Sequence, residues 1–314
     1  MSSLHMLPEG VDLPADGSAS ILEAALKAGI PLAHACGGQA QCSTCRIVVL
    51  EAGSGCPQRG EAERAIAQRL GFDPMVRLAC QTAALPGTVV RRLVLDEEDA
   101  ELATRPLLDG VGDAVGEEID AAIVFSDIRG FTRIARRLTA YDTIHALNRY
   151  YLKAGEAIAA HGGRIDNYMG DGFLAVFTGE EKEARAVRAA LDIAAGVEAR
   201  GRAYFLEGYG VEFRVGLGIH RGRVVAGQIG HPASRRQTLI GEAVNTAARI
   251  EAATKQAGTT VLASAEVREA CAAAFAWEEY AGMALAGIDG THTLHAPSAG
   301  DPEGARESMR PAQQ

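Results

Sequence analysis

The sequence predicts two mixed α and β domains in tandem, joined by a short acidic connector. Three observations carry this reading. Short apolar runs with Gly-rich turns fill the first 95 residues, and beyond residue 118 strands alternate with long helices. The formal net charge of −9 is concentrated: residues 96–118 hold nine acids and one base, residues 1–95 hold eight of each, and residues 119–314 hold 23 acids and 22 bases. The 314-residue length accommodates two ordinary cores. The expected boundaries are 1–95, an acidic linker at 96–118, 119–296, and a polar, disordered tail at 297–314. Like charges repel and stay solvated, which is why DEEDAELATRPLLDGVGDAVGEE reads as a linker or a partly ordered connector.

Composition narrows the function. Neither domain has the basic surplus that binding to nucleic acid requires. No stretch approaches 18 consecutive apolar residues, so no membrane span is expected. The start, MSSLHMLPEGVDLP, lacks a basic region followed by an apolar run, so the expected location is cytoplasmic.

Local signals place the elements. ILEAALKAGI is helical, with Asp16 and Ser18 as expected caps and Gly29 at its end. AAIVFSD reads as a buried strand and YDTIHALNRYYLKAGEAIAAHGG as a long helix. RIDNYMGDGFLAVF reads as two strands joined by a tight Gly-Asp-Gly turn. EKEARAVRAALDIAAGVEARG is helical, VEFRVGLGIHRGRVVAGQIG is expected to be a strand pair turning near Arg221-Gly222, and EAVNTAARIEAATKQAG is a helix closed by Gly258.

Four of the six cysteines, Cys36, Cys42, Cys45 and Cys80, follow the spacing C-x5-C-x2-C-x34-C. Three thiols on one loop and a fourth far downstream suit an iron–sulfur cluster. Gly37 and Gly38 let the loop wrap so that amides face the sulfurs. Disulfides are disfavoured in a cytosolic chain, and structural zinc favours two C-x2-C pairs where this chain has one. The segments ACGGQAQCSTCRIVV and VRLACQT resemble the cluster loop and final ligand of 2Fe–2S ferredoxins, and the x5 gap is similar to the adrenodoxin-type subgroup. The resemblance implies a β-grasp fold with a 2Fe–2S cluster on Cys36, Cys42, Cys45 and Cys80, and an electron-donor protein as a partner. Cys56 and Cys271 fall outside the pattern and are expected to be buried or idle.

In the second domain IVFSDIRGFT places Asp127 at a strand end, and NYMGDGFLAVF places Asp171 in a hairpin turn. Two carboxylates on neighbouring strand tips can hold Mg²⁺ against a nucleoside triphosphate. TLIGEAVNTAARIE puts Asn245 and Arg249 at i and i+4 on one helix face, an amide and a guanidinium suited to a ribose and a developing phosphate charge. Together these segments resemble the catalytic domain of class III adenylate and guanylate cyclases over residues 119–296. That resemblance implies an α+β, ferredoxin-like domain working as a homodimer with two shared sites. It implies two Mg²⁺ or Mn²⁺ ions per site on Asp127, Asp171 and the Ile128 carbonyl, and transition-state contacts from the partner chain's Asn245 and Arg249.

Three positions depart from the family's pattern. The base-reading Lys falls on Asn167, its Asp or Thr partner on Arg236, and the phosphate-gripping Lys on Ala286. Asn can pair with adenine or guanine, whereas Arg has donors only and cannot accept from adenine's amino group. The expected reaction is ATP to 3′,5′-cyclic AMP plus pyrophosphate, with GTP as the alternative substrate. Other readings are a degenerate, cyclase-like redox sensor and an electron-transfer ferredoxin with an anchor domain. One electron on the cluster, acting on a unit charge about 10 Å away at an effective dielectric near 20, is worth roughly 1.7 kcal/mol. That would shift a two-state equilibrium about tenfold or more, so redox control of the enzyme is expected.

Overall fold

The computed structural model describes residues 2–53, 55–108, 116–231 and 234–298. The chain divides into two compact units, Met1–Glu117 and Glu118–Gln314.

The first unit is built on β1 (Ser3–Leu7), β2 (Val11–Pro14), α1 (Ile21–Lys27), β3 (Arg46–Ala52), α2 (Glu61–Arg69), β4 (Val76–Leu78) and β5 (Thr88–Arg92). The strands form one sheet in the order β2-β1-β5-β3-β4, with β1 and β5 parallel and the other pairs antiparallel. Helix α1 buries Ile21, Leu22, Ala24 and Ala25 in a core with Leu4, Met6, Ile47 and Val90 from the strands. This is the sheet with a grasped helix that the first domain was expected to form. The cap of α1 is Ser20, in a reciprocal capping box with Glu23, and not Asp16 or Ser18. Asp16 and Ser18 bond to each other in the preceding turn instead, with Ser18 N to Asp16 Oδ1 at 2.8 Å.

A buried ion pair staples α2 to β4. Arg77 Nη2 lies 2.8 Å from Glu63 Oε2 and Arg77 Nε 2.9 Å from Glu63 Oε1, and both residues are buried. Glu63 also accepts from the Leu78 amide at 2.8 Å, two residues before Cys80.

The acidic segment is more ordered than its charge suggested. Residues Glu97–Leu108 form helix α3, and Glu117 already belongs to the next strand. Glu97, Glu98 and Asp99 occupy the first turn of α3, where negative charge is favourable against the helix dipole. The Asp96 carboxylate accepts from the Asp99 amide at 2.9 Å, and the Asp99 carboxylate accepts from the Leu95 amide at 2.9 Å. Ala103 is buried, and its carbonyl accepts from Ser43 Oγ at 2.9 Å. The helix is therefore held against the loop that carries Cys42 and Cys45. The expected disordered tail lies outside the described residues from 299 onward, and Pro297 and Ser298 end a strand.

The second unit contains β6 (Glu117–Ile128), α4 (Phe131–Ala135), α5 (Ala140–Ala160), β7 (Arg164–Met169), β8 (Gly172–Phe177), α6 (Lys182–Gly196), α7 (Arg202–Tyr209), β9 (Val215–Ile229), β10 (Arg236–Ile240), α8 (Glu242–Ala257), β11 (Val261–Ser264), α9 (Ala265–Ala270), β12 (Ala276–Met283) and β13 (His292–Ser298). The sheet runs β12-β13-β11-β9-β6-β8-β7, and β10 pairs with β9. Strand β6 alternates between two cores. Ala122 and Val124 pack with residues of α5 and α6, whereas Ala121 and Ile123 pack with Leu239 and with Ala243 and Ala247 of α8.

One expectation fails here: β9 is a single 15-residue strand and does not turn at Arg221-Gly222. Glycine at 222 answers to packing, since a Cβ there would stand 2.8 Å from the Ala243 Cβ of α8. Gly218 is stricter. A Cβ on it would meet Glu251 N at 2.1 Å and Ala247 O at 2.4 Å, so α8 lies directly on the backbone of β9. No helix among the described residues is long and apolar enough to cross a membrane.

Arg77→Met should leave Glu63 charged, buried and unpaired. The expected loss is about 3–5 kcal/mol, read as a lower urea midpoint. Lys153→Ala breaks only the exposed Lys153–Glu156 pair and should change stability by about 0–1 kcal/mol.

Candidate active site and cluster loop

The loop between α1 and β3 wraps through Gly37 at φ +66° and Gly38 at φ +86°. Thr44, fully buried, accepts from the Ala35 amide at 2.9 Å and pins the loop across its width. The four thiols come together as two pairs. Cys45 Sγ lies 3.5 Å from Cys80 Sγ, and Cys36 is hydrogen-bonded to Cys42. All four are free thiols. Among the described residues no three His, Cys, Asp or Glu side chains group as they would around one metal ion. Two pairs of soft thiolate donors nevertheless suit a cluster with two irons.

Electrostatics favour the thiolate at two of the four, Cys80 and Cys36. Hydrogen bonding from Cys45 pulls Cys80 down to about 6 against the cost of burial, helped by Gln81 and the Ala40 amide. The same hydrogen bond, with burial, pushes Cys45 up, so the pair shares one proton. Burial alone would raise Cys36, but hydrogen bonds from Cys42 and from the Gln39, Gln41 and Cys42 amides hold it below the usual thiol range. The donor set and the inward amides fit the group that the spacing suggested. The two remaining cysteines differ from each other. Cys271 is a core residue whose thiol burial pushes up to about 11. Cys56 is exposed, and its sulfur lies 2.5 Å from Nη1 of the buried Arg77, so it is engaged rather than idle.

In the second unit the β6–β8 register sets Asp127 opposite Gly172, one residue beyond Asp171. Asp171 sits in the two-residue turn between β7 and β8, where Gly170 supplies φ +71°. The Ile128 amide donates to the Asp171 carbonyl at 3.3 Å, which ties the two segments together. Gly172 is required there, because a Cβ would lie 2.3 Å from the Ser126 carbonyl oxygen. Burial, and next the charge of Asp171, raise Asp127 above the usual carboxylate range.

Sequence reading missed three residues of this site. Burial, with the charge of Asp127, pushes Glu251 of α8 up to about 7. Tyr150 and Tyr151 of α5 hold the segments that carry the carboxylates: Tyr150 Oη lies 2.6 Å from Ser126 Oγ, and Tyr151 Oη donates to the Gly170 carbonyl at 2.6 Å. Their roles arise from contact between distant elements, which no local motif records.

Asp127 lines a pocket of about 910 Å³ with Arg129, Arg133, Arg137, Glu251 and Lys255. Asn167 and Arg236 line a different pocket, of about 470 Å³, together with Gln237 and Thr238. The hydroxyl of Thr238 can both donate and accept, which Arg236 cannot. Asn245 and Arg249 are exposed on α8, and among the described residues neither side chain makes a hydrogen bond or ion pair. They line neither of these pockets, so the chain does not bring them to its own Asp127. Ala286 is exposed in the connection between β12 and β13.

Comparison with known proteins places this architecture among nucleotide cyclases. The second unit superposes on the adenylyl cyclase CyaB from P. aeruginosa with a TM-score of 0.53 at 22% identity, covering 59% of this chain and 96% of that one. It also matches the guanylyl cyclase Cya2 with a TM-score of 0.52 at 26% identity, covering 58% and 93%. The profile described as the adenylate and guanylate cyclase catalytic domain matches residues 116–295, and the chain belongs to that family. Residues 4–85 match the 2Fe–2S iron–sulfur cluster binding domain. An adenylate cyclase from Anabaena cylindrica is 36% identical over 148 residues, 46% of this chain and 29% of that protein. Adenylate cyclase 1 from Rhizobium meliloti (strain 1021) is 33% identical over 156 residues, 48% and 23%. The chain thus spans less than a third of either relative.

Two outcomes follow. Tyr151→Phe removes the hydroxyl that donates to the Gly170 and Gly172 carbonyls on either side of Asp171 and should weaken Mn²⁺ binding about fivefold, read by titration calorimetry on folded protein. The raised carboxylates mean that the folded chain binds more protons than the unfolded chain. For Glu251 the stabilisation is complete below about 4.5 and is lost as pH rises through about 7. Urea midpoints of the metal-free protein should therefore fall over that window, and Glu251→Gln should reduce the slope.

Proposed function

We propose that the chain is a class III nucleotide cyclase that converts ATP to 3′,5′-cyclic AMP and pyrophosphate in a homodimer with two shared sites, governed by its 2Fe–2S cluster. The observation that carries the reading is the pair Asp127 and Asp171, set on adjoining strand ends, with Asp127 lining a large pocket rich in cations. Asp127, Asp171 and the Ile128 carbonyl are the groups that would hold Mg²⁺ or Mn²⁺. Divalent ions there would lower the pKa of the ribose 3′-hydroxyl and neutralise the triphosphate. Asn245 of one chain orients the ribose, and Arg249 stabilises the charge that develops as the 3′-oxygen displaces pyrophosphate. Both reach outward from α8, as a site completed by a second copy requires.

Exposed apolar side chains support that partner. Val225 and Ile240 face each other in the β9–β10 register, and Ile229 and Tyr168 are also more than a third exposed. Asn167, Arg236 and Thr238 are the candidates for reading the base. The two curated adenylate cyclases favour ATP, whereas the match to the guanylyl cyclase Cya2 and Arg236 beside Asn167 favour GTP.

For the first unit, Cys36 with Cys42 and Cys45 with Cys80 would each take one iron. An electron-donor protein would reduce the cluster. Control then has a local route. Ser43, between two of the thiols, donates to Ala103 of α3, and the Arg46 guanidinium interacts with both Cys45 and Asp99 of that helix. From α3 the chain continues to β6, whose far end bears Asp127.

Cluster-loaded protein given Mg²⁺ or Mn²⁺ with each nucleotide should form a cyclic product before or after dithionite. Asp127→Ala and Asp171→Ala should lower product at least about a thousandfold. Absence of product from the confirmed dimer would move the reading to a degenerate sensor. Ser43→Ala should raise amide exchange in residues 97–108 and shrink the redox difference in rate. Unchanged exchange would remove α3 from the route.

A further inference from the structure

The proposed cyclase site lacks one cation, because Ala286 stands where a lysine would grip the triphosphate. The pocket that contains Asp127 offers replacements, and the geometry separates them. Arg129 is already spent on the fold: its Nη2 donates to Thr254 Oγ1 at 2.9 Å and to the Thr259 carbonyl, and its Nε to the Val215 carbonyl at 3.2 Å. Arg214 is paired with Glu212, its Nε 2.9 Å from Oε1. Arg133, Arg137 and Lys255 are exposed, and among the described residues their side chains make no hydrogen bond or ion pair.

Of these three, Arg133 lies against the turn that follows the metal-site carboxylate. Its Nη2 is 3.6 Å from the position a Cβ on Gly130 would take, three residues beyond Asp127. Arg137, in the turn that follows α4, lines the same pocket. Arg236 is placed elsewhere, in the pocket with Asn167.

We infer that Arg133, with Arg137 behind it, grips the substrate's triphosphate and does the work that Ala286 cannot. The inference rests on the cyclase reading. A guanidinium fork matches two phosphate oxygens at once, and its charge is not already committed to a carboxylate. Gly130, at φ +67°, shapes the turn against which Arg133 lies.

The test uses the full-length dimer and two probes, ATP and inorganic tripolyphosphate. Arg133→Ala should raise KM for ATP about tenfold and weaken inhibition by tripolyphosphate by a similar factor, with kcat within about twofold. Arg133→Lys should recover part of the loss, and Arg133→Ala with Arg137→Ala should exceed the single change. A merely structural residue would lower kcat and leave tripolyphosphate inhibition intact, and that result overturns the inference. If the wild type forms no cyclic nucleotide, the cyclase reading fails separately. Calorimetric binding of tripolyphosphate then decides: binding lost in Arg133→Ala upholds the grip, and equal binding in both proteins overturns it.

Discussion

Two carboxylates do not sit side by side in a half-buried site unless the backbone forces them to. Burial, and next the charge of Asp171, make Asp127 costly to ionise, which is why it is held above its ordinary range. The surrounding structure is arranged to keep them there. The β6–β8 register sets their spacing, the Gly170 turn presents Asp171, and Tyr150 and Tyr151 brace both segments from α5. On the other side, α8 presses onto Gly218 of β9 and brings Glu251 within electrostatic reach. Repulsion of this kind is relieved by a bound cation, which is the physical basis of the proposed metal role of the pair.

The first unit repeats this logic with sulfur. Cys45 and Cys80 share a proton because two thiolates 3.5 Å apart cannot both be charged without a counter-ion. Inward amides lower the cost of the charges that remain. What distinguishes this unit is the helix laid against its cluster loop. Acidic residues placed in the first turn of α3 stabilise the helix instead of unfolding it, and Ser43 ties it to the loop. A change of charge at the cysteines is felt by the neighbouring Arg46, which also interacts with Asp99 on that helix.

Much of this was legible in the sequence where the signal is local. The cysteine spacing, the Gly-Asp turn that bears Asp171 and the long helices of the second unit all follow from short-range rules. Charge density alone does not reveal the helix at 97–108, because what matters is where each acid falls on it, and Glu97, Glu98 and Asp99 fall in the first turn. Gly222 misled for β9, because a glycine in a strand can serve a packed helix as readily as a turn. Tyr151, Glu251 and Arg133 carried no motif at all. Their meaning depends on which turn, strand or glycine lies opposite, and that is settled by tertiary packing.

The central claim is that each active site draws its carboxylates from one chain and Asn245 and Arg249 from another. Mixing two inactive variants, Asp127→Ala and Arg249→Ala, tests it directly through cyclic nucleotide formation. Random exchange of subunits would make half of the dimers mixed, each with one intact site, so activity should return to about a quarter of the wild-type value. Activity that stays at the level of the separate variants, with mixed dimers confirmed, would contradict the shared site.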